Sequence, residues 1–163
     1  MNDETAGVRH AVRALIVDGD NCVLLMRLNM PNGRVWLTPG GGKESGETTH
    51  GCLTRELAEE VGCDDLSIGP ELWQRRIHYQ MKGRPWTQHE RIFLIRTDRF
   101  EPSAANLPFE AERDWFECFG WWSADEIDRL PDRVGPIDLA ARLRVLITDG
   151  APETPIDITL RGD

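Results

Sequence analysis

The segment PGGGKESGETTHGCLTRELAEEVGC, Pro39 to Cys63, holds the residues best suited to chemistry. Its second half has a helical pattern, and a helix advances by about 100° per residue. With Glu56 at zero, Glu59 falls at about −60° and Glu60 at about +40°, so the three carboxylates share one face. Leu53, Leu57 and Val61 fall at about 60°, 100° and 140°. The apolar stripe borders the acidic face and sets it at the edge of the core. Two effects oppose this arrangement. Glu56 and Glu60 are a like-charge i,i+4 pair, which costs about 0.2–0.5 kcal/mol. Glu59 and Glu60 occupy the last turn, where the helix dipole is negative, at about 0.3–1 kcal/mol each. A solvated acidic face is the plain alternative, but the wrong-end placement and the apolar border count against it. A divalent cation offsets both repulsions, because carboxylate oxygens suit a hard ion such as Mg²⁺ or Mn²⁺. Just upstream, Gly40, Gly41 and Gly42 allow unusual backbone angles and close approach of a ligand, and a main-chain carbonyl there can face a metal. A tight strand-to-helix turn needs the same flexible residues.

The elements that must position these groups are readable in outline. HAVRALIVDGDNCVLLMRL reads as two strands around an Asp18-Gly19 turn. NMPNGR is a loop, and VWLT is a short strand leading into Pro39. Residues 48–61 form a helix, stopped by Gly62. LSIGPELWQRRIHYQ and TQHERIFLIRTD read as paired strands across MKGRPW. RFEPSAANLPFEAERDW reads as a long irregular loop and FECFGWW as a strand. Ser123 and Glu126 make a capping-box pattern for a short helix. A last helix starts at Leu139, with Asp138 as N-cap and Gly150 after its end, and its apolar residues recur at helical spacing. Residues 1–8 read as a flexible N-terminus, 9–150 as one domain and 151–163 as a C-terminal tail. Strands, a helix, more strands and a closing helix imply a mixed α/β fold with a sheet packed between helices.

Spacing carries the segment further. Gly41 is followed after five residues by Glu47, and after seven more by Arg55-Glu56-Leu57-x-Glu59-Glu60-x-Gly62-Cys63. This resembles the Nudix box, G-x5-E-x7-R-E-U-x-E-E-x-G-U, where U is a bulky apolar residue. Every fixed position matches, and Cys63 stands where an aliphatic is usual. The resemblance implies an α/β/α sandwich with a mixed β-sheet and the box as loop–helix–loop. It implies hydrolysis of a diphosphate bond in a nucleoside diphosphate linked to another group, with Mg²⁺ or Mn²⁺ as cofactor. Carried over by residue, Glu56, Glu59 and Glu60 correspond to metal ligands, with the carbonyl of Gly40 as a fourth. Glu47 corresponds to the box glutamate that pairs with Arg55 and fixes the helix to its loop. The family often adds an acidic residue from a late loop, for which Glu112 is the choice and Glu110 and Glu117 are rivals. Either Glu56 or Glu112 takes the proton from the attacking water.

Arg27, at the end of CVLLMR, stands where the family often has a basic residue that meets phosphate; a solvated strand end is the equal alternative. Arg13, Arg75 and Arg76 are weaker candidates of the same kind. One of Trp73, Trp86 and Trp115 could stack on a base, and nothing selects among them. Tyr79, the only tyrosine, lies sixteen residues beyond Cys63. In some Nudix subgroups a tyrosine at about that spacing accompanies diadenosine polyphosphate hydrolysis, and a proline nearby accompanies ADP-ribose hydrolysis. His78 and Tyr79 lean away from ADP-ribose, although a buried strand tyrosine explains the residue equally well. Two other readings differ in class: a non-catalytic nucleotide-binding regulatory module, which typically loses box glutamates, and an isoprenoid diphosphate isomerase, which needs a catalytic cysteine in a context not found here.

The rest of the chain bounds these readings. At 163 residues, with 40% hydrophobic and 29% charged residues, it is long enough for one domain with a sizeable core. A net charge of −9 argues against a generally basic nucleic-acid surface but leaves room for a local basic pocket. The four cysteines, Cys22, Cys52, Cys63 and Cys118, form no C-x-x-C pair and read as reduced thiols. No apolar run approaches a membrane span, and MNDETAGVRH has no signal-peptide core. The expectations are a cytoplasmic protein, a nucleotide-type small-molecule substrate and no membrane partner, with a homodimer as a permitted assembly.

Overall fold

A computed structural model of the chain describes residues 6–108 and 110–160. Strand β1 (Gly7–Val17) turns at Asp18 into β2 (Val23–Met30). Asp18 Oδ1 accepts the N–H groups of Asp20 and Cys22, each at 2.9 Å, a local bond that favours Asp in turns. Only Val17 and Val23 pair across this turn, and the two strands then part. β3 (Gly33–Leu37) returns along β2, and the glycine triplet forms a short strand β4 (Gly40–Gly42) against β1. The triplet is therefore sheet, where a turn or loop was expected. Helix α1 (Thr49–Glu60) follows, then the hairpin of β5 (Glu71–Met81) and β6 (Arg84–Arg96). The chain ends with α2 (Glu110–Trp115), β7 (Phe116–Trp122), α3 (Ala124–Arg129), β8 (Arg133–Gly135), α4 (Leu139–Asp149) and β9 (Ile156–Asp157).

The strands join in the order β8-β3-β2-β1-β6-β5-β9, with β4 also on β1 and β7 also on β2. β1 and β6 run parallel from Gly7↔Trp86 to Val17↔Arg96, so the sheet is mixed. Successive strand residues face opposite sides. Val12, Ala14 and Ile16 meet Cys52, Leu53 and Leu57 of α1 on one side. Leu15 and Val17 meet the other core, which holds Leu139, Leu143 and Leu146 of α4. The sheet thus lies between helices, as the α/β/α reading required.

Three segments differ from expectation. The 99–115 stretch contains α2. Asp138 stands at the N-cap of α4, as expected, but makes no side-chain cap bond; its carboxylate pairs instead with Arg142, one helical turn on, at 2.7 Å. Residues 151–160 return to the sheet, where β9 pairs with β5 and Ile158 is buried in the core. Ser123 does cap α3, accepting the Glu126 N–H at 3.2 Å while Glu126 reaches back to the Ser123 N–H. No helix among the described residues is long and apolar enough to cross a membrane.

Candidate active site

Helix α1 is set by its first and last turns. Thr48 Oγ1 accepts the Gly51 N–H at 3.0 Å and supplies the N-cap. At the other end Gly62 adopts φ +76°, a left-handed conformation that stops the helix at low strain. Leu53, Leu57 and Val61 anchor the helix on the sheet, and Glu56, Glu59 and Glu60 lie half-buried beside them. The last turn carries no basic residue.

Arg55 organises the acidic face. Its Nε and Nη2 grip Glu47 at 2.5 and 3.1 Å in a two-pronged contact. Nη2 also donates to the Gly42 carbonyl at 3.1 Å, tying helix to glycine strand. Nη1 reaches Glu56 at 3.1 Å and Glu59 at 3.2 Å. Glu60 accepts the Gly40 N–H at 2.7 Å. The hydrogen bond from Arg55 holds the Glu47 carboxyl down at about 2. The same bond, with Glu56 and Glu59 nearby, raises the guanidinium pKa and keeps Arg55 charged. Burial, and then the charges of Glu47 and Glu56, push the Cys52 thiol up to about 12.

The Arg55 guanidinium faces Glu47, Glu56 and Glu59, with Glu44 3.9 Å away, while the neighbouring Glu60 takes the Gly40 N–H. The remaining negative charge and the hard oxygen donors fit Mg²⁺ or Mn²⁺. Among the described residues, no three acidic, histidine or cysteine side chains already converge on one point. Arg55 and the Gly40 N–H hold the carboxylates in place beside the strand rather than around a preformed cage.

The glycines admit these groups. A Cβ on Gly41 would lie 2.4 Å from Glu56 Oε1. A Cβ on Gly40, at φ +144°, would lie 2.2 Å from the Val12 carbonyl oxygen. Gly40, Gly41 and Glu60 line a cavity of about 230 Å³ in the space where β1 and β2 diverge. Arg9 and Arg13 line it from β1, Met26, Leu28 and Met30 from β2, and Leu107 and Trp115 from the late segment.

The structure brings Glu47, Arg55, Glu56, Glu59, Glu60 and Gly40 together and sets other candidates apart. Arg27 faces away from the cavity, because Met26 and Leu28 on either side of it face in; it pairs with Glu117 at 2.8 Å and lies 5.5 Å from the centre of the Trp36 ring. Glu117 also holds Arg34 at 3.1 Å. Tyr79 pairs across strands with Trp86, and Trp73 is buried in the core, leaving Trp115 as the one of the three tryptophans beside Glu60. Arg75 binds Glu90, and the Arg76 main chain donates to Thr159. Glu110 is exposed at the start of α2, and the side chain of Glu112 lies outside the described residues.

Two residues, one in the cavity wall and one behind it, were not singled out from sequence. Arg9 lines the cavity, and Glu90 is 1% exposed behind Arg13. Glu90 accepts from Arg13 Nε at 2.7 Å, Arg75 Nε at 2.5 Å and Gln88 Nε2 at 2.8 Å. Its signal was available: in QHERIFLIR, Glu90 is in step with Ile92 and Leu94, so a carboxylate occupies an inward position.

Comparison with known proteins matches residues 7–143 to the NUDIX domain. The chain is 28% identical over 149 residues to the RNA pyrophosphohydrolase of Novosphingobium aromaticivorans, covering 83% of this chain and 89% of that protein. The solution structure of the E. coli ORF135 protein is similar with a TM-score of 0.64 and 21% identity, covering 92% of this chain and 97% of that one. A MutT NUDIX hydrolase from Burkholderia pseudomallei is similar with a TM-score of 0.57 and 24% identity, covering 83% and 97%.

Proposed function

Because this chain belongs to the NUDIX family, a family of hydrolases acting on phosphoric anhydride bonds, we propose that it is a divalent-cation-dependent pyrophosphohydrolase. Its substrate is a nucleoside diphosphate linked to a further group: a nucleotide, a dinucleoside polyphosphate or a nucleotide conjugate. The similarity to an RNA pyrophosphohydrolase adds a phosphorylated RNA end to the substances worth testing. The observation that supports this reading most is the acidic face of α1 against the glycine strand, with Glu47, Glu56 and Glu59 held by Arg55 and Glu60 lining a cavity together with two arginines.

Glu56, Glu59, Glu60, the Gly40 carbonyl and Glu112 are the groups assigned to hold the cation. When bound there, Mg²⁺ or Mn²⁺ neutralises diphosphate charge and makes water more acidic. Arg55, locked by Glu47, fixes the helix against the glycine strand and keeps Glu56 and Glu59 side by side. Glu56 or Glu112 accepts a proton from the attacking water. The water oxygen bonds to phosphorus, the bridging P–O bond breaks, and the leaving phosphate carries away the electron pair. The apolar end of the cavity, with Met26, Leu28 and Trp115, suits the flat face of a base.

The test is a panel of nucleoside triphosphates, dinucleoside polyphosphates, ADP-ribose, nucleotide sugars and triphosphorylated RNA, with Mg²⁺ or Mn²⁺. Wild type and Glu60→Gln are scored for products. Turnover by wild type and its loss in the variant support the proposal. Nucleotide binding without turnover by either folded protein replaces it with the regulatory-module reading.

A further inference from the structure

Two features of opposite character lie at the two ends of strand β5. At its start, α4 and the returning segment 150–156 enclose a groove of about 570 Å³. Trp73 and Leu146, both buried, form its floor, and Val145 and Ile156, 56% and 44% exposed, form its lip. Asp149 and Glu153 also line it, and among the described residues neither is paired with a basic side chain. At the other end the β5–β6 hairpin turns at Lys82 and Gly83, with φ of +52° and +74°, the left-handed pair of a tight two-residue turn. Met81 is 42% exposed there, and Lys82 and Arg84 are exposed beside it. From Arg75 to Gln88 the hairpin carries no acidic residue, in a chain of net charge −9. Pairing with β1 begins only at Trp86, so the tip projects beyond that neighbour.

Both features face the same way. Trp73 and Met81 are an even number of residues apart on one strand, so their side chains point to the same side. Ile156 is in step with the core residue Ile158 and points there too. Between groove and tip, Ile137, 77% exposed, and Leu160 line a second cavity with Ile77. Exposed large hydrophobic residues thus gather along one side of β5, and a contiguous apolar patch marks an interaction surface where scattered single residues do not.

We propose that this side is the interface of a homodimer, with the hairpin tip of each copy seated in the groove of the other. The tip offers a methionine beside two cations. The groove offers an apolar floor beside two carboxylates. A two-fold axis crossing β5 near Ile77 carries tip onto groove and groove onto tip at once, because Trp73 and Met81 each lie about 13 Å from it along the strand. The contact is then made twice and closes at two copies. The dimer does not rest on the hydrolase reading.

Sedimentation of the full chain in EDTA over a concentration series tests this without any turnover. Wild type is compared with Lys82→Glu, Val145→Glu, Glu153→Lys and the double variant Lys82→Glu/Glu153→Lys. All three positions are exposed, and circular dichroism checks that each variant is folded. Wild type should dimerise with rising concentration, and less so in high salt, which screens the charge contacts. Each single variant should weaken the dimer about tenfold or more. The double variant should recover most of that loss, because it restores opposite charges across the contact. Wild type that stays monomeric at about 100 µM, where a Kd of about 10 µM would leave most chains paired, overturns the proposal. So does a dimer that folded Lys82→Glu and Val145→Glu leave unchanged, or a double variant that pairs no better than its singles.

Discussion

Gly41→Ala separates positioning of Glu56 from stability of the fold. Gly41 is outside the left-handed region, so its backbone tolerates alanine. The new Cβ would meet Glu56 Oε1 at 2.4 Å, Cδ at 2.5 Å and Oε2 at 2.7 Å. Ordinary contact begins near 3.4 Å, so the carboxylate must retreat by about 1 Å. That retreat swings the end of a flexible side chain and costs little. Gly→Ala also stabilises by about 0.4–1 kcal/mol through the unfolded chain, so the net change stays within about 1 kcal/mol. For a chain of this size that is a melting shift of about 2–4 °C. A misplacement of about 1 Å at a reacting centre costs about 100-fold in rate. Gly40→Ala is the contrast. Its φ of +144° brings about 1–3 kcal/mol of strain, and its Cβ overlaps the Val12 oxygen and Arg13 Cα, backbone atoms with nowhere to go. The assay is thermal melting together with kcat/KM on the best substrate of the panel. Gly41→Ala should melt with wild type and lose about 100-fold in kcat/KM, whereas Gly40→Ala should lose stability and activity together. Wild-type kcat/KM in a folded Gly41→Ala protein would show that the place of the Glu56 carboxylate does not matter.

Other expectations follow from the same geometry. Glu90→Gln leaves Arg13 and Arg75 without their buried carboxylate and lowers stability by about 3–5 kcal/mol, read from urea midpoints at pH 7. Burial pushes the Glu90 carboxyl up, but Arg13 and Arg75 outweigh it and hold it at about 2, below the ordinary 4.5. Its stabilisation is therefore complete above about pH 4.5 and is lost as pH falls toward about 2. Urea midpoints across that window should fall more steeply for wild type than for Glu90→Gln. Cys52, buried and with its thiol pushed up to about 12, should resist Ellman's reagent at pH 8 until the protein unfolds, as mass spectrometry of the labelled peptides would show. EDTA should abolish hydrolysis, and Mg²⁺ or Mn²⁺ should restore it and raise the melting temperature, because a ligand of the folded state stabilises it.

The box was readable because its information is local. Helical spacing alone places Glu56, Glu59 and Glu60 together, and Gly62 marks the end of α1, whereas Thr48, read as helical, is the N-cap. The cavity wall was less readable because it depends on pairing far along the chain. Arg13 and Glu90 are 77 residues apart and meet only because β1 and β6 pair in parallel. β9 was missed because two residues carry no periodicity, and β4 because three glycines have no strand propensity of their own. Arg27 was a phosphate candidate by analogy, with a solvated strand end as the equal alternative, and only the structure shows Met26 and Leu28 facing the cavity while Arg27 pairs with Glu117. Asp138 is the N-cap residue of α4 as read, but it makes no side-chain cap bond because an arginine one helical turn later offers its carboxylate a full charge in place of a backbone N–H.

The most direct measurement is hydrolysis of a panel substrate in oxygen-18-labelled water with Mg²⁺, followed by mass spectrometry of the products and of the protein. Attack of water on phosphorus, with Glu56, Glu59 and Glu60 in place, predicts the label in one of the two phosphorus-containing products, none on the protein, and no reaction in Glu60→Gln. Intact substrate across the whole panel, or a phosphorylated protein intermediate, would contradict it.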